Sequence, residues 1–146
     1  MPKRSPKARR RPSKVDGARL PVVVVCRGGD CGSRVKHPGF DHPGQLREIR
    51  GRLEGTAGVV SSSCLDACDH SNVVVVLPGE RGRAAGGQAV WIGEVNDLET
   101  TDDVIRWVRD GGTAVADEPT LVAIRAFRAS RLNRLELDEV TGPLES

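Results

Sequence analysis

Four short apolar runs along the chain predict β-strands. Residues 20–25 and 73–77 are almost wholly apolar and rich in β-branched Val, a pattern typical of strands that are covered on both faces. Residues 59–63 and 89–92 form two further runs. A Gly-rich, basic connection at residues 78–88 separates the last two strands, so we expect these strands to form a hairpin.

Two stretches with helical periodicity accompany these strands. The first helix is predicted to begin near Asp41 and His42, with Pro43 in the first turn and Gly55 as a C-terminal stop. Its apolar face consists of Leu46, Ile49 and Leu53.

The second helix is predicted to begin at Thr100, which has the spacing of a capping box to Asp103, with Asp in place of Glu. Gly111 and Gly112 end this helix. Its apolar positions are Val104, Ile105, Trp107 and Val108.

The predicted order is therefore β-α-β-β-β-α, which is an α/β fold. A parallel β-α-β unit followed by an antiparallel hairpin and a covering helix is the plan of the thioredoxin-like sandwich. We assign this domain to residues 19–112.

Residues 113–146 are predicted to form a C-terminal helical extension, with one helix over residues 120–135. The extension is too short to be a domain, so we expect it to pack on the body or against a second copy. The apolar stripe of its helix is Leu121, Ile124, Phe127 or Arg128, and Leu132.

Residues 1–18 are predicted to be a disordered basic tail, because Pro and Gly breakers stand among like charges without apolar periodicity. Residues 1–19 carry eight basic side chains and one acidic one, so the rest of the chain has a net charge of −5 although the whole chain has +2. The basic character of the sequence therefore belongs to the tail, and the body is mildly acidic.

Targeting signals are not evident. No apolar stretch approaches the ~20 residues of a membrane span. The run before Cys26 has six residues and includes Pro21, whereas an export signal needs roughly 7–15 apolar residues. We therefore expect a cytoplasmic protein without membrane contact, in which cysteines are metal ligands or redox groups and not disulfides.

All four cysteines lie in two loops, each of which follows a predicted strand. The pairs are Cys26-x4-Cys31 and Cys64-x3-Cys68, with 32 residues between them. Neighbouring strands lie about 4.8 Å apart, so two adjacent loops can bring four sulfurs around one small inorganic core. Thiolates are the soft ligands of iron–sulfur clusters, and two pairs suit the two irons of a [2Fe–2S] cluster.

Other interpretations of the cysteines compete with a cluster. A structural zinc site also uses four cysteines, although its pairs usually lie in tight knuckles. A thioredoxin-type dithiol needs Cys-x-x-Cys, which the sequence lacks. Inert buried cysteines would not all fall in two loops that carry Gly or Asp. A Rieske-type centre would replace two Cys by His, but four Cys are available, so His37, His42 and His70 are not assigned to the site.

The two loops resemble those of the thioredoxin-like [2Fe–2S] ferredoxins, whose fold and spacing also occur in the [2Fe–2S] subunit of bacterial NADH dehydrogenases and NAD-linked hydrogenases. The resemblance covers roughly residues 20–112 and is carried by VVVVCRGGDC at 22–31 and SCLDAC at 63–68, followed by the strand at 73–77. It implies a [2Fe–2S] cluster on the four cysteines, one-electron transfer with redox partner proteins and often a homodimer. The helical N-terminal region of the dehydrogenase subunit is replaced by the basic tail, which leaves the partner open.

Glycines, serines and charged residues surround the cysteines. The serines and the charged residues have two interpretations each. The glycines of the first loop would let backbone N–H groups turn toward the sulfurs. Ser61, Ser62 and Ser63 either supply hydroxyl donors or are polar filler at the strand end. Charged residues near the ligands would form a docking rim for a partner or simply solvate the loops. The glycines are Gly28, Gly29 and Gly32, and the charged residues are Arg27, Asp30, Arg34, Lys36, Asp66 and Asp69.

The preferred function is therefore that of an electron carrier, acting as a free-standing ferredoxin or as an accessory subunit of a redox enzyme. The chain itself is not predicted to be an enzyme, because no nucleophile–base pair is recognisable and residues 82–87 lack the Lys-Ser/Thr ending of a phosphate loop. The alternative is a zinc-stabilised protein that binds nucleic acid through the basic tail. Scarce aromatic residues and the acidic body argue against it.

Overall fold

The computed structural model describes residues 19–33 and 35–141. The strands are β1 (Val22–Cys26), β2 (Gly58–Ser62), β3 (Val74–Leu77), β4 (Val90–Ile92) and β5 (Ala126–Phe127). They form one mixed sheet in the order β2-β1-β3-β4-β5. β1 and β2 are parallel, and the other neighbouring pairs are antiparallel. The four predicted strands are present within two residues of their expected bounds, and the fold is mixed α/β.

The helices are α1 (His42–Leu53), α2 (Glu80–Ala84), α3 (Leu98–Arg109), α4 (Thr120–Arg125) and α5 (Arg131–Thr141), with a short 3-10 turn at Cys68–His70. Within the described residues, no helix combines the length and the apolar character that crossing a membrane requires. The predicted basic tail, residues 1–18, lies outside the described residues, as do the last five residues of the extension.

The two central strands are buried on both faces, as their Val-rich sequences predict. One face of the sheet, which includes Val23 and Val76, packs against α1 and α3. The other face, which includes Val24 and Val75, belongs to a second apolar cluster with Leu65 of the loop after β2 and with residues of α5. The loop that carries two of the cysteines is therefore anchored in this second core.

Helix α1 begins where its sequence predicts. The Asp41 carboxylate caps it and accepts the backbone N–H of Gly44 at 2.9 Å. The buried face differs from the prediction by part of a turn, since Leu46 is only half-buried while His42 and Gln45 are buried. Two polar side chains thus face the core near the cysteine loops.

The predicted start of the second helix is wrong. Helix α3 begins at Leu98, because Asp97 is its N-cap and accepts the backbone N–H of Thr100 at 2.7 Å. Thr100 is a buried residue of the first turn, and not a cap. The connection between β3 and β4, predicted as a simple hairpin loop, contains the short helix α2.

The single helix predicted over residues 120–135 is also wrong. Ala126 and Phe127 leave the helix and pair with β4 as strand β5. A new helix, α5, follows, because Ser130 and Asn133 cap each other: Asn133 Oδ1 accepts the Ser130 N–H at 2.8 Å, and Ser130 Oγ accepts the Asn133 N–H at 3.0 Å. Ile124 of the predicted apolar stripe is largely exposed. The described part of the extension thus packs on the body and completes its sheet.

Candidate metal centre

Parallel pairing of β1 with β2 brings the two cysteine loops to the same edge of the sheet. Cys26 ends β1 and lies opposite Ser62, which ends β2. The Arg27 N–H continues the ladder by donating to the Ser62 carbonyl at 2.9 Å. We call residues 26–33 the first cysteine loop and residues 63–68 the second cysteine loop. Both loops leave the sheet side by side, as the strand assignment predicts.

Glycine allows the two loops to touch. A Cβ atom on Gly28 would overlap the backbone nitrogen of Cys64. A Cβ atom on Gly29 would lie 2.7 Å from Cys68 Sγ and 3.2 Å from Cys64 Sγ. The backbone of the first loop therefore lies directly against the sulfurs of the second loop. This close approach leaves no room for a side chain larger than that of glycine.

The sulfurs of the second cysteine loop have the spacing of two ligands on one metal. Cys64 Sγ and Cys68 Sγ lie 3.7 Å apart. Two thiolates bound at about 2.3 Å to one tetrahedral metal lie about 3.8 Å apart. This pair therefore needs no rearrangement to bind one iron or one zinc.

The two cysteines of the first loop affect the pKa values of each other. Interaction with Cys31 lowers the pKa of Cys26 to about 6, although burial opposes it. The same interaction, together with burial, raises the pKa of Cys31. Thiolates are the ligating form, and the lowered pKa of Cys26 favours that form.

Each cysteine pair also affects a pKa value in the other pair. Burial raises the pKa of Cys64, and the nearby charge of Cys26 adds to the effect. The charge of Cys68 adds in the same way to the raised pKa of Cys31. Cys26 Sγ further contacts the Ser63 carbonyl of the second loop at 3.7 Å. Four sulfurs from two loops therefore share one electrostatic environment.

Across residues 19–33 and 35–141, no group of three or more His, Cys, Asp or Glu side chains is arranged to hold a metal ion. A [2Fe–2S] cluster takes two thiolates on each of its two irons, so the two cysteine pairs are the relevant donors. Both loops supply thiolate pairs, and backbone N–H groups already point at two of the sulfurs. Asp66 N–H donates to Cys64 Sγ and Val73 N–H to Cys31 Sγ, each at 3.2 Å. Four cysteines in two pairs match the number of thiolates that ligate a [2Fe–2S] cluster.

These N–H donors differ from the ones that the sequence predicts. The glycines of the first cysteine loop are predicted to help backbone N–H groups reach the sulfurs. In the structure, Gly28 and Gly29 allow the close approach of the loops, and Gly32 lies against Arg27 Cδ. The Ser62 hydroxyl donates to the Ser63 carbonyl at 2.8 Å and not to a sulfur. Asp66 itself adopts a positive φ of 62°, a left-handed conformation that is uncommon for a residue other than glycine.

Exposure divides the ligands into two kinds. Cys26 and Cys31 are 2% and 4% exposed, whereas Cys64 and Cys68 are half-buried. Lys36 bridges the loops at the surface, donating to Asp30 Oδ2 and to the Cys68 carbonyl at 3.2 Å each. The second pair is therefore the side of the sulfur group that lies nearer the solvent.

Arg27 does not belong to the charged rim predicted from the sequence. Its side chain is half-buried and makes hydrogen bonds to residues of α1 and of the segment before β3. Asp66 and Asp69 are exposed, as a rim requires, while Arg34 lies outside the described residues.

Asn133 is a site residue that the sequence does not reveal as one. Its Nδ2 donates to the carbonyl oxygens of Leu65 and Asp66 at 3.1 and 2.8 Å. Helix α5 thereby holds the second cysteine loop from outside the predicted domain. The Ser130-x-x-Asn133 spacing indicates a helix cap, but only the tertiary structure shows that the cap residue also reaches the loop.

The histidines lie near the loops but outside the sulfur group. His37 Nε2 lies 3.1 Å from Ser71 Oγ, and His42 Nε2 lies 2.9 Å from Asn96 Oδ1. The His70 ring stacks on Phe127 with a centroid distance of 3.8 Å. Each ring thus has a structural contact of its own.

Comparison with known proteins finds no matching family model, no significantly similar curated protein and no significantly similar solved structure.

Proposed function

We propose that this chain is a one-electron carrier that holds a [2Fe–2S] cluster on Cys26, Cys31, Cys64 and Cys68. The observation that supports the proposal is the parallel pairing of β1 with β2, which places the two cysteine loops side by side with Gly28 and Gly29 against the second loop. The β-α-β unit, the antiparallel strands after it and the covering helix α3 support a thioredoxin-like fold. The motif resemblance to the thioredoxin-like ferredoxins points to the same function.

The chain supplies each property that such a carrier needs. A bound [2Fe–2S] cluster supplies one-electron transfer, and the protein sets its potential through ligands, hydrogen bonds and exposure. The buried pair, Cys26 and Cys31, excludes water from one side of the site. The half-buried pair, Cys64 and Cys68, leaves the other side accessible to a redox partner protein. The N–H groups of Asp66 and Val73 stabilise negative charge on the sulfurs.

The test is spectroscopic. Protein purified without oxygen is expected to be red-brown, to lose its visible absorption on reduction with dithionite, and to give an EPR signal in the reduced state. A colourless protein with one zinc per chain would overturn the proposal and favour the structural-metal alternative. In that case, salt-sensitive binding to DNA that is lost on deletion of residues 1–18 would identify the tail as the binding element.

A further inference from the structure

Arg27 points inward beneath the first cysteine loop. Its backbone follows Cys26 directly, and its side chain is half-buried. A Cβ atom on Gly32 would lie 2.7 Å from Arg27 Cδ, so the loop passes immediately over the aliphatic part of the side chain. Arg27 is thus fixed next to two of the proposed ligands.

The guanidinium group is held by four hydrogen bonds to neutral oxygens. Nη1 donates to the Cys26 carbonyl and to Asn72 Oδ1, both at 2.9 Å. Nη2 donates to the His42 carbonyl and to Gln45 Oε1, again both at 2.9 Å. The orientation of the cation is therefore determined by β1, by α1 and by the segment before β3.

A second layer of hydrogen bonds fixes the amide oxygens toward Arg27. Gln45 Nε2 donates to the Val95 carbonyl and to Thr101 Oγ1, both at 3.0 Å. Asn72 Nδ2 donates to Gln45 Oε1 at 3.0 Å. Gln45 and Asn72 are 2% and 0% exposed. Both amides therefore present oxygen, and not nitrogen, to the guanidinium.

Arg27 has no carboxylate partner within residues 19–33 and 35–141. A partly buried cation without an opposite charge is costly. Arg27 directly follows Cys26 in the chain, and Gly32, which directly follows Cys31, lies against Arg27 Cδ. The structure therefore holds a positive charge whose natural partner is the charge of the thiolate site.

We propose that Arg27 is the built-in counter-charge of the cysteine-held cluster and that it raises the reduction potential of that cluster. The inference rests on the proposed function. One-electron reduction adds one negative charge to the site, with no bond formed or broken, and in the experiment below the electron comes from an electrode. A fixed cation beside Cys26 and Cys31 stabilises the state with more negative charge, so Arg27 is a positioning residue that favours the reduced form.

The experiment compares reduction potentials of cluster-loaded full-length variants by voltammetry. Arg27→Gln removes the charge and is expected to make reduction at least about tenfold less favourable, which for one electron is about 59 mV. Arg27→Lys keeps a charge in the same place and is expected to change the equilibrium by less than about threefold.

The matched control is Arg52→Gln, which removes the same charge at the opposite end of α1. Arg52 pairs with Glu48 and Asp102 at the surface, and its loss is expected to leave the potential unchanged. Asn72→Asp is the reserve variant if Arg27→Gln does not bind iron. This substitution leaves the guanidinium in place, cancels its charge and is expected to lower the potential in the same direction.

The outcomes separate the two claims. A wild-type protein that assembles no cluster refutes the proposed function, and this inference with it. If the wild-type protein assembles a cluster, and Arg27→Gln has full iron and sulfide content with an unchanged reduction potential, only the role of Arg27 is overturned. That role is equally overturned if Arg27→Gln binds no iron and Asn72→Asp leaves the potential unchanged.

Discussion

The two cysteine loops differ in what holds them and in what they expose. The two cysteines of the first cysteine loop are buried, and the Arg27 network ties this loop to α1 and to the segment before β3. The second cysteine loop is half-exposed, and Asn133 of α5 holds it by two backbone carbonyls. The first loop thus keeps its cysteines in buried surroundings, and the second keeps its cysteines in place nearer the surface.

This difference shows how a small domain can combine stability with access. A site that is buried on all sides would be closed to other molecules, and a site on two free loops would lose its geometry. Here the Arg27 network supports the first loop, while Leu65 in the second apolar core and Asn133 of α5 support the second loop. The C-terminal extension is therefore expected to matter for the site as well as for the fold.

The largest expected effect tests whether both loops serve one site. Cys31→Ala removes a ligand from the buried pair, and Cys64→Ala removes one from the half-buried pair. Both variants are expected to lose essentially all of the bound cluster, because each iron needs two thiolates from its own pair. Iron content and visible absorption after anaerobic reconstitution are the measurements.

The matched control is Ser62→Ala, which removes a hydroxyl bonded to the Ser63 carbonyl and leaves all four sulfurs unchanged. Its cluster content is expected to equal that of the wild type. Full iron content in either cysteine variant would show that the loops do not share a cluster.

The next largest effect concerns the close approach of the loops. Gly28→Ala places a methyl group against the backbone of Cys64, so the loops must separate. The free energy of unfolding is expected to fall by about 1–3 kcal/mol, as for other overpacked sites. Chemical denaturation of the apoprotein measures this quantity.

Gly39→Ala is the matched control, because a Cβ atom there meets nothing within 4 Å. It is expected to change the stability by less than about 0.5 kcal/mol. If both substitutions change the free energy of unfolding equally, the lack of a side chain at Gly28 is not what allows the loops to touch.

A smaller effect is expected for the support from α5. Asn133→Ala leaves the Leu65 and Asp66 carbonyls without their donor, at a cost of about 1–3 kcal/mol. The cluster should then be released faster on incubation with a chelator, with the half-life read from visible absorption. Ser130→Ala removes only the helix cap, about 1 kcal/mol, and is expected to release the cluster more slowly than Asn133→Ala. Faster release from Ser130→Ala than from Asn133→Ala would show that Asn133 does not support the second cysteine loop.

The smallest effect is a titration of the apoprotein. The pKa of Cys26 is lowered to about 6, so one thiolate should form as the pH rises through about 6, visible as ultraviolet thiolate absorption. Because interaction with Cys31 lowers this pKa, Cys31→Ala is expected to shift this step to higher pH, and Cys26→Ser to abolish it. If the thiolate absorption of Cys26→Ser still rises at the same pH, the thiol with the lowered pKa is not Cys26.

Local signals explain how much of the fold could be predicted. The β-branched runs identify four strands, and Asp41 with Pro43 marks the start of α1, because each signal acts within a few residues. The cysteine spacing similarly identifies both loops. Strand β5 escapes prediction because Ala126 and Phe127 are extended only through pairing with β4.

The supports of the site could not be predicted in the same way. Arg27, Gln45 and Asn72 are distant in sequence, and their network exists only after β1, α1 and β3 have packed. One local signal was available: Gln45 lies one turn before Ile49, on the buried side of α1. A polar residue at such a position indicates a buried hydrogen-bonding partner, although it does not say which one.

The most direct test of the central claim is the iron and acid-labile sulfide content of the purified full-length protein. We expect about two irons and two sulfides per chain, as one [2Fe–2S] cluster requires. One zinc per chain without sulfide would contradict the claim.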